Sequence, residues 1–319
     1  MISVVGDIIV DQYIFGCKVK PNPEVTGGVV YSLENSRPTM NMGGAAAVAG
    51  MLVDLGEDVV LSGFVGEDSA GHWAIRKIKA AGIKCNVIVE PRRPTTVKTR
   101  YVVDNNSICG TRVDIEVTTK PCNRTLEYLE DTPIGDMLVM SDYGKGALSE
   151  DVIATLVDRA ADGDIPVLVD PAVGADLKLF SSAGLNSLTI KMNRSEAARI
   201  YGDGDPEMSA VLLSTEHACD AVVTLGSAGM VLFEKHASLW QFVNSIYQDA
   251  TDVTGAGDTV LAALASGKMA GLDLGACCEM AAALAAQQVT TLGITPINPQ
   301  CAQIGPRCLT ALANLGCKP

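Results

Sequence analysis

A chain of 319 residues that is 48% hydrophobic but only 4% aromatic can bury a substantial core built mainly from alanine, valine, leucine and isoleucine. Its net charge of −13 argues against nucleic acids and anionic membranes as partners, because both attract basic surfaces. The sequence has no apolar run of about 18 residues and no secretion signal at its start, so we predict a cytoplasmic protein.

Short strand-like apolar runs alternate with helical segments along most of the chain. Buried strands are predicted at residues 2–5, 59–64, 137–141, 166–170, 188–192 and 221–225. Helices are predicted at residues 43–55, 70–81 and about 149–161, with two more after Gly255. This alternation indicates an α/β fold with a doubly wound, mostly parallel sheet and a ligand crevice at the carboxyl ends of the strands.

Two stretches, at about residues 11–35 and 92–117, interrupt the alternation. The second contains TTVKTRYVVD and TRVDIEV, which alternate with the period of a strand and are rich in β-branched residues. We expect a small β-sheet inserted into a single domain over residues 1–319, where it acts as a lid that excludes water from the crevice. The alternative is an edge extension or dimer surface without a lid function.

The most specific local motif is DVTGAGDT at residues 252–259, immediately before an apolar helix. Its glycines allow the backbone to approach a phosphate, and the first N–H groups of the helix, which lack helical partners, point at that anion. Asp258 then lies where it can take the proton of an attacking hydroxyl during phosphoryl transfer. The alternative is a simple turn in which the aspartate caps the helix. The motif is neither a dinucleotide fingerprint nor a Walker loop.

Three ordered motifs, GGAA at residues 43–46, Asn193 with Glu196, and DVTGAGD, together resemble the ribokinase-like, or PfkB, carbohydrate kinases over residues 2–297. Within that family, GDIIVDQYIFG, PTTVKTR, TRVDIE and SDYGKGAL are most similar to the D-glycero-β-D-manno-heptose 7-phosphate kinases of lipopolysaccharide precursor synthesis. The resemblance implies a homodimeric, magnesium-dependent enzyme that uses ATP to convert heptose 7-phosphate to the 1,7-bisphosphate. A kinase for another sugar or a nucleoside, or a binding protein without catalysis, are the alternatives.

The resemblance also implies roles for individual residues. The catalytic set is Asp258 as base with Gly255, Ala256 and Gly257 as the anion hole. The nucleotide set is Lys191, Asn193, Glu196, Thr224, Gly226 and Gly229, with Glu196 helping to hold Mg²⁺ through water. The sugar set is Asp7, Asp11, Gly43, Gly44 and Asp142, and a monovalent cation such as K⁺ is associated with Asp252. Asp7 as a turn residue, and Asn193 with Glu196 as a helix capping box, stay open as alternatives.

A pair of basic residues, Lys98 and Arg100, lies two apart in a predicted strand, so both side chains emerge on one face. In an acidic protein they form a candidate clamp for a phosphate already on the sugar, and Arg112 on the neighbouring predicted strand can join them. A solvated basic face of the lid is the alternative.

Three residues depart from the pattern of the resembled family. Ala47 replaces an asparagine that holds sugar hydroxyls, Ala172 replaces a lysine after Asp-Pro, and Met192 replaces a proline. Loss of one buried sugar contact costs roughly 1 to 3 kcal/mol, so these changes bear on the choice of acceptor.

Overall fold

The computed structural model describes residues 1–103, 107–181, 184–246 and 249–299. Residues 104–106 of the predicted lid segment, and residues 300–319 of the predicted single domain, lie outside these ranges. The strands are β1 Ile2–Gly6, β2 Ile8–Pro21, β3 Val29–Gly44, β4 Val59–Gly66, β5 Lys84–Glu90, β6 Thr96–Val103, β7 Ser107–Ile115, β8 Met137–Ser141, β9 Val167–Asp170, β10 Leu188–Asn193, β11 Asp220–Thr224, β12 Gly229–Glu234 and β13 Leu239–Asn244. The helices are α1 Ala45–Asp54, α2 Ser69–Ala80, α3 Asn123–Glu130, α4 Glu150–Asp162, α5 Arg194–Tyr201, α6 Pro206–His217, α7 Ala256–Met269 and α8 Leu274–Gln288.

Nine of the strands in the described ranges form one sheet in the order β13-β12-β11-β10-β9-β8-β1-β4-β5. The pairings from β11 to β5 are parallel, whereas β12 and β13 add an antiparallel edge. Helices cover both faces, since Val4 of β1 faces a core shared with α1, α7 and α8, and Val5 faces a core shared with α4 and α6. The predicted doubly wound, mostly parallel α/β sheet is confirmed.

The remaining four strands form a smaller sheet in the order β3-β2-β6-β7, which we call the lid sheet. In it β2 pairs with β3 antiparallel and with β6 parallel, so the two predicted lid segments lie side by side. The sheet is longer than predicted, because β2 begins at Ile8 and β3 runs to Gly44. The predicted helix at residues 43–55 therefore begins only at Ala45, after Gly44 turns the chain at a φ of 57° that favours glycine.

The parallel strands of the large sheet bring polar residues to one edge. Asp7 follows β1 and Asp142 follows β8, while Asp170, Asn193 and Thr224 are the last residues of β9, β10 and β11. A crevice at the carboxyl ends of such strands is the usual ligand site of this architecture. None of the helices in the described part of the chain has the length and apolar character that crossing a bilayer requires.

Candidate active site

The N-terminus of α7 faces this edge and is built from glycine. Gly255 precedes the helix with a φ of 80°, and a Cβ atom there would lie 2.8 Å from Ile294, so only glycine fits both the conformation and the space. No side chain in the described ranges caps the helix. The N–H groups of Gly257 and Asp258, in the first turn, therefore have no helical partner and are available to an anion.

Asp258 is the third residue of α7 and its side chain is buried. The hydroxyl of Tyr143 donates a hydrogen bond of 2.7 Å to its Oδ1 atom. Burial raises the pKa of Asp258 to about 7, with the Tyr143 hydrogen bond opposing the rise and the negative charge of Asp170 adding to it. A carboxylate with a pKa near neutrality can both take and release a proton at working pH.

A cavity of about 220 Å³, which we call the acceptor cavity, lies between Asp258 and the lid sheet. Asp11, Lys98 and Arg100 line its lid side, and Gly44 lines its floor. Asp11 and Arg100 form a buried ion pair. The same carboxylate explains the neighbouring glycine, because a Cβ atom at Gly43 would lie 2.1 Å from Asp11 Oδ2. Gly43 thus makes room for Asp11.

Lys98 and Arg100 are the basic residues of the acceptor cavity lining. Arg100 is paired with Asp11, whereas Lys98 has no ion pair within the described residues. Its Nζ atom lies 5.1 Å from the centre of the Tyr143 ring, a cation–π contact. Burial lowers the pKa of Lys98 below its ordinary value, and the nearby Asp11 charge counteracts this. Such a partly desolvated ammonium is suited to an anionic group on a ligand.

Arg112, the third predicted member of the clamp, is placed differently. Its Nε and Nη2 atoms each lie 2.8 Å from the carboxylate of Asp114, and it does not line the acceptor cavity. This bidentate pairing with Asp114, two residues further along the same strand, satisfies the guanidinium. The structure thus brings Lys98 and Arg100 together at the cavity and leaves Arg112 outside its lining.

Asp7 and Asp142, both placed with the sugar by resemblance, also lie outside the lining of the acceptor cavity. The Asp7 carboxylate accepts hydrogen bonds of 2.9, 2.9 and 3.0 Å from the backbone N–H groups of Tyr143, Lys145 and Ala147. It therefore fixes the loop after β8, as a turn-supporting residue would. Asp142 lines the neighbouring cavity described next, and burial, with the charge of Asp7, raises its pKa to about 6.

A cavity of about 380 Å³, which we call the phosphate cavity, lies beside α7 on the side of β9 and β10. Lys191 lines it and its Nζ atom lies 2.6 Å from Asp170 Oδ2. Burial lowers the pKa of Lys191, but the Asp170 carboxylate outweighs burial and raises it above its ordinary value. The lysine is thus a fixed positive charge next to the first turn of α7.

Asn193 and Glu196 also line the phosphate cavity, and they form the capping box that was the alternative interpretation. The Asn193 side chain accepts from Glu196 N at 3.0 Å, and Glu196 Oε2 accepts from Asn193 N at 2.7 Å. The two interpretations are compatible, because the box orients side chains that face the cavity. Together with phosphate oxygens, the Glu196 carboxylate offers the hard oxygen donors that Mg²⁺ binds, partly through water.

A third cavity of about 210 Å³, which we call the nucleotide cavity, lies between β11–β12 and helices α7 and α8. It contains Thr224, Gly226 and Gly229, the three residues placed there by resemblance. Apart from Ser227 and Ser245, the rest of the lining is apolar, including Val253, Val260, Ala282, Ala285, Ala286 and Val289. A narrow apolar slot with a few polar groups at its mouth suits a flat aromatic ring.

Gly257 lines all three cavities. A Cβ atom at this position would lie 3.2 Å from Lys191 Nζ and would project into the space where the cavities meet. The first turn of α7 is therefore the shared boundary of the three cavities.

Asp252, associated by resemblance with a monovalent cation, is engaged within the protein. Its carboxylate accepts hydrogen bonds from Tyr13 Oη at 2.6 Å, from the N and Oγ1 atoms of Thr254 at 3.0 and 2.7 Å, and from Gly293 N at 3.0 Å. Burial raises the pKa of Asp252, but these hydrogen bonds outweigh it and leave the pKa below its ordinary value. The carboxylate therefore connects Tyr13 of the lid sheet with Thr254 in the segment before α7.

The three departures from the family pattern lie in different places. Ala47 is buried beside a separate cavity that Met40, Met42 and Met51 also line, so it does not reach the acceptor cavity. Ala172 lines the phosphate cavity. Because it is not a lysine, Lys191 supplies the positive charge among the described residues of that lining. Met192 is buried in the core under α5 and α6.

Sequence reasoning missed two side chains of this site. Tyr143 lies in SDYGKGAL and Asp170 ends a predicted strand, so both were visible as motif members but received no role. Their partners, Asp258 and Lys191, are 115 and 21 residues away along the chain. A polar residue directly after a buried parallel strand is the signal that could have found them.

The sequence pattern described as pfkB family carbohydrate kinase matches residues 2–301. The Bifunctional protein HldE of Helicobacter pylori (strain ATCC 700392 / 26695) is 34% identical over 307 residues, which cover 92% of this chain and 63% of the relative. The Bifunctional protein HldE of Pelobacter propionicus is 32% identical over 306 residues, which cover 93% of this chain and 61% of the relative. The chain thus spans less than two thirds of the length of these curated relatives.

Solved structures share the fold. The Arabidopsis thaliana ribokinase complexed with ribose and ATP matches with a TM-score of 0.69 at 19% identity, over 98% of both chains. The Escherichia coli phosphofructokinase-2 in complex with potassium matches with a TM-score of 0.75 at 14% identity, over 99% of both chains. At these identities the agreement concerns the architecture, which is that of the ribokinase-like proteins.

Proposed function

Because this chain belongs to the pfkB family of carbohydrate kinases, it is a phosphotransferase that acts on a sugar hydroxyl, and we propose that it moves the γ-phosphoryl group of ATP onto the anomeric hydroxyl of a heptose 7-phosphate. One observation carries the proposal. Asp258, with a pKa of about 7, lies in the acceptor cavity directly beside Gly257, where the acceptor, phosphate and nucleotide cavities meet.

In the proposed reaction, the sugar hydroxyl in the acceptor cavity gives its proton to Asp258 as its oxygen bonds to the γ-phosphorus. The bond from the γ-phosphorus to the bridging oxygen breaks, and its electron pair leaves with ADP. The N–H groups of Gly257 and Asp258 and the ammonium of Lys191 stabilise negative charge on the transferring group. Glu196 would help to hold Mg²⁺ through water, and the bound ion would supply further positive charge to the transferring group.

Lys98 supports a phosphorylated acceptor. Its ammonium lies in the acceptor cavity without an ion pair in the described residues, whereas Arg100 is already paired with Asp11. The HldE relatives, at 32–34% identity, point in the same direction. We therefore assign the 7-phosphate to Lys98, and omit Arg112, whose guanidinium is bound by Asp114.

Kinase activity toward a different sugar or a nucleoside is the second candidate, and the departure at Ala172, which lines the phosphate cavity beside the acceptor cavity, favours it. A monovalent cation is not part of the proposal, because four hydrogen bonds engage the Asp252 carboxylate. The cytoplasmic location and the single domain stay predictions.

ADP release from Mg-ATP, measured across a panel of free and phosphorylated sugars, tests the proposal. We expect turnover with heptose 7-phosphate and none in the Asp258→Asn variant. Lys98→Met should raise the KM for the phosphorylated acceptor about tenfold to a hundredfold, because a charge-assisted contact is lost, and leave the KM for ATP unchanged. Lys84→Met, which changes an exposed lysine paired with Asp58, is the matched control.

The outcomes separate the candidates. If the protein turns over an unphosphorylated sugar and Lys98→Met does not affect this activity, the heptose phosphate is rejected as substrate. The assignment as a kinase is then retained. Binding of ATP without turnover of any acceptor supports a protein that binds without catalysis.

We also propose that the protein is a homodimer joined through the lid sheet. Val113 and Ile115 lie on one face of β7 and are 45% and 51% exposed, and Val19, Val29 and Leu33 of the same sheet are about half exposed. Apolar residues on an open sheet usually mark an interface. Light scattering should give twice the chain mass for the wild type and one chain mass for a Val113→Glu/Ile115→Glu variant. A monomeric wild type rejects this assignment.

A further inference from the structure

Tyr143 lies between the acceptor cavity and the phosphate cavity and lines both. It is not an ordinary wall residue, because its hydroxyl donates to Oδ1 of Asp258 at 2.7 Å. Among the described residues, no hydrogen bond reaches Oδ2 of the same carboxylate. The two oxygens of Asp258, which lines the acceptor cavity, are thus unequal: Oδ1 is held by the phenol, and Oδ2 has no hydrogen bond from the described residues.

Two further contacts hold the tyrosine in place. Its backbone N–H donates to Asp7 Oδ2 at 2.9 Å, and the same buried carboxylate binds the N–H groups of Lys145 and Ala147. The ammonium of Lys98 lies over its ring, 5.1 Å from the centre. A side chain fixed in this way delivers its hydroxyl to Asp258 without first losing conformational freedom.

We propose that Tyr143 is the positioning residue of the general base: its hydroxyl holds Oδ1 of Asp258, so that Oδ2 is the atom that takes the acceptor proton. The inference rests on the proposed kinase function. The tyrosine keeps its own proton throughout, because burial and the charge of Asp258 raise its pKa well above the ordinary value. The transferred proton therefore stops at Asp258, from which it leaves after the products separate.

Several charged groups face Asp258 and set its protonation together with Tyr143. They are Asp170 at the end of β9, Lys191 on β10, Asp11 on β2, and Lys98 and Arg100 on β6. Burial and the two carboxylates favour the protonated form, whereas Lys191 and the Tyr143 hydrogen bond favour the ionised form. Removing the Tyr143 hydroxyl leaves Lys191 as the main stabiliser of the ionised form, so Asp258 should hold its proton to a higher pH.

The test compares Tyr143→Phe with wild type in two measurements. The first is a ¹³C NMR titration of protein labelled at the aspartate carboxyl carbons, in which the Asp258→Asn variant identifies the Asp258 signal. The second is kcat against pH, from about pH 6 to about pH 9, with Mg-ATP and the best acceptor of the panel. The NMR titration needs no acceptor, so it answers the question even if the proposed substrate is wrong.

In Tyr143→Phe we expect the Asp258 titration to move to higher pH and kcat at neutral pH to fall about tenfold to a hundredfold. The acid limb of the kcat profile should move in the same direction, so that part of the loss is recovered at high pH. The KM for ATP should stay unchanged. Tyr128→Phe is the matched control, because Tyr128 also donates its hydroxyl to a side-chain oxygen, that of Asn86, far from this site.

If Asp258 titrates at the same pH in Tyr143→Phe and in wild type, the proposal is overturned, even if activity falls. A residue that only lines the cavity would lower activity without changing the pKa of Asp258. If Tyr143→Phe does not fold, 3-fluorotyrosine at position 143 preserves the shape and is a stronger hydrogen-bond donor. Its predicted effect is the opposite one, a shift of the Asp258 titration to lower pH. No shift with this replacement also overturns the proposal.

Discussion

Helices α5 and α7 begin at the same edge of the large sheet, and each has an acidic residue at its third position, yet the two acids are used differently. In α5, Glu196 turns back to accept the Asn193 N–H at 2.7 Å, and Asn193 caps Glu196 in return. In α7, Gly255 has no side chain to cap the helix, and Asp258 turns away to Tyr143 at 2.7 Å. The residue before the helix thus separates a capping acid from one free for chemistry.

The two acids also differ in burial. Glu196 is a half-buried residue of the phosphate-cavity lining, whereas Asp258 is buried near Asp170 and Asp11 and has a pKa of about 7. Burial also raises the pKa of Glu196, and the hydrogen bond from the Asn193 N–H opposes this rise. An acid that must accept a proton needs a pKa close to working pH, which burial supplies.

The largest expected effect comes from Asp258→Asn. Loss of the base should lower kcat about 10²- to 10⁴-fold, while the free energy of unfolding stays equal or rises, because a buried ionisable group is replaced by a neutral one. Steady-state kinetics and urea unfolding measure the two quantities. A variant that retains kcat within tenfold of wild type would show that the contrast between the two acids has no catalytic meaning.

Gly257→Ala should have the next largest effect. The added methyl group lies 3.2 Å from Lys191 Nζ and enters the junction of the three cavities, so we expect kcat/KM for ATP to fall about 10²- to 10³-fold. The matched control is Gly50→Ala in α1, where the new methyl group meets the flexible end of Met42 at 3.1 Å. The control should keep full activity and gain up to about 1 kcal/mol of stability. Equal kinetics for both variants would contradict the prediction.

Glu196→Gln tests whether the acid at the start of α5 acts on Mg²⁺ as well as in the capping box. Glutamine can keep the capping box, so stability should stay within about 0.5 kcal/mol of wild type. The lost charge should raise the Mg²⁺ concentration for half-maximal activity about tenfold to a hundredfold, as for other groups that act on a metal through water. Titrating activity with Mg²⁺ at fixed ATP measures this. An unchanged Mg²⁺ requirement would limit Glu196 to its capping function.

Asp258 should also make a modest contribution to the pH dependence of stability. The pKa of Asp258 is about 7 in the folded protein and about 3.9 when unfolded, so the folded state binds more protons between these values. Stability from this group is therefore present at low pH and lost as pH rises through about 7. The thermal midpoint should fall less between about pH 5 and about pH 8 in Asp258→Asn than in wild type. Parallel pH dependence in the two proteins would contradict the raised pKa.

Much of this architecture was predictable because its signals are local. The buried strands are continuous apolar runs, and DVTGAGDT carries its glycines and aspartate on consecutive residues. The predicted strands of the large sheet do not include β5, β12 and β13. In β13, Leu239, Trp240 and Phe242 are exposed and do not alternate regularly with polar residues. Helices α3 and α6 were also missed, and α6 has little amphipathic character. The start of α5 was foreseen only as the capping-box alternative for Asn193 and Glu196, since α5 has only Ala197 buried.

The candidate site was predictable only in part. Gly257 and Asp258 act through their position in one helix turn, so the motif reveals them. The role of Asp7 depends on a loop more than 130 residues later in the chain, whose N–H groups take up its carboxylate. The sequence around Asp7 does not predict that contact. Lys98 and Arg112 were treated as equivalent basic strand residues, although Asp114, two residues after Arg112 on the same face of its strand, was a local signal for the pairing that the structure shows.

The acceptor cavity has its two walls on separate stretches of chain. Lys98 and Arg100 come from β6, whereas Gly255, Gly257 and Asp258 come from the start of α7, about 150 residues later. Selectivity for the sugar and the transfer reaction can therefore change independently in evolution. A chimera that takes residues 96–115 from a relative with another acceptor should inherit that relative's sugar preference and keep its own use of ATP.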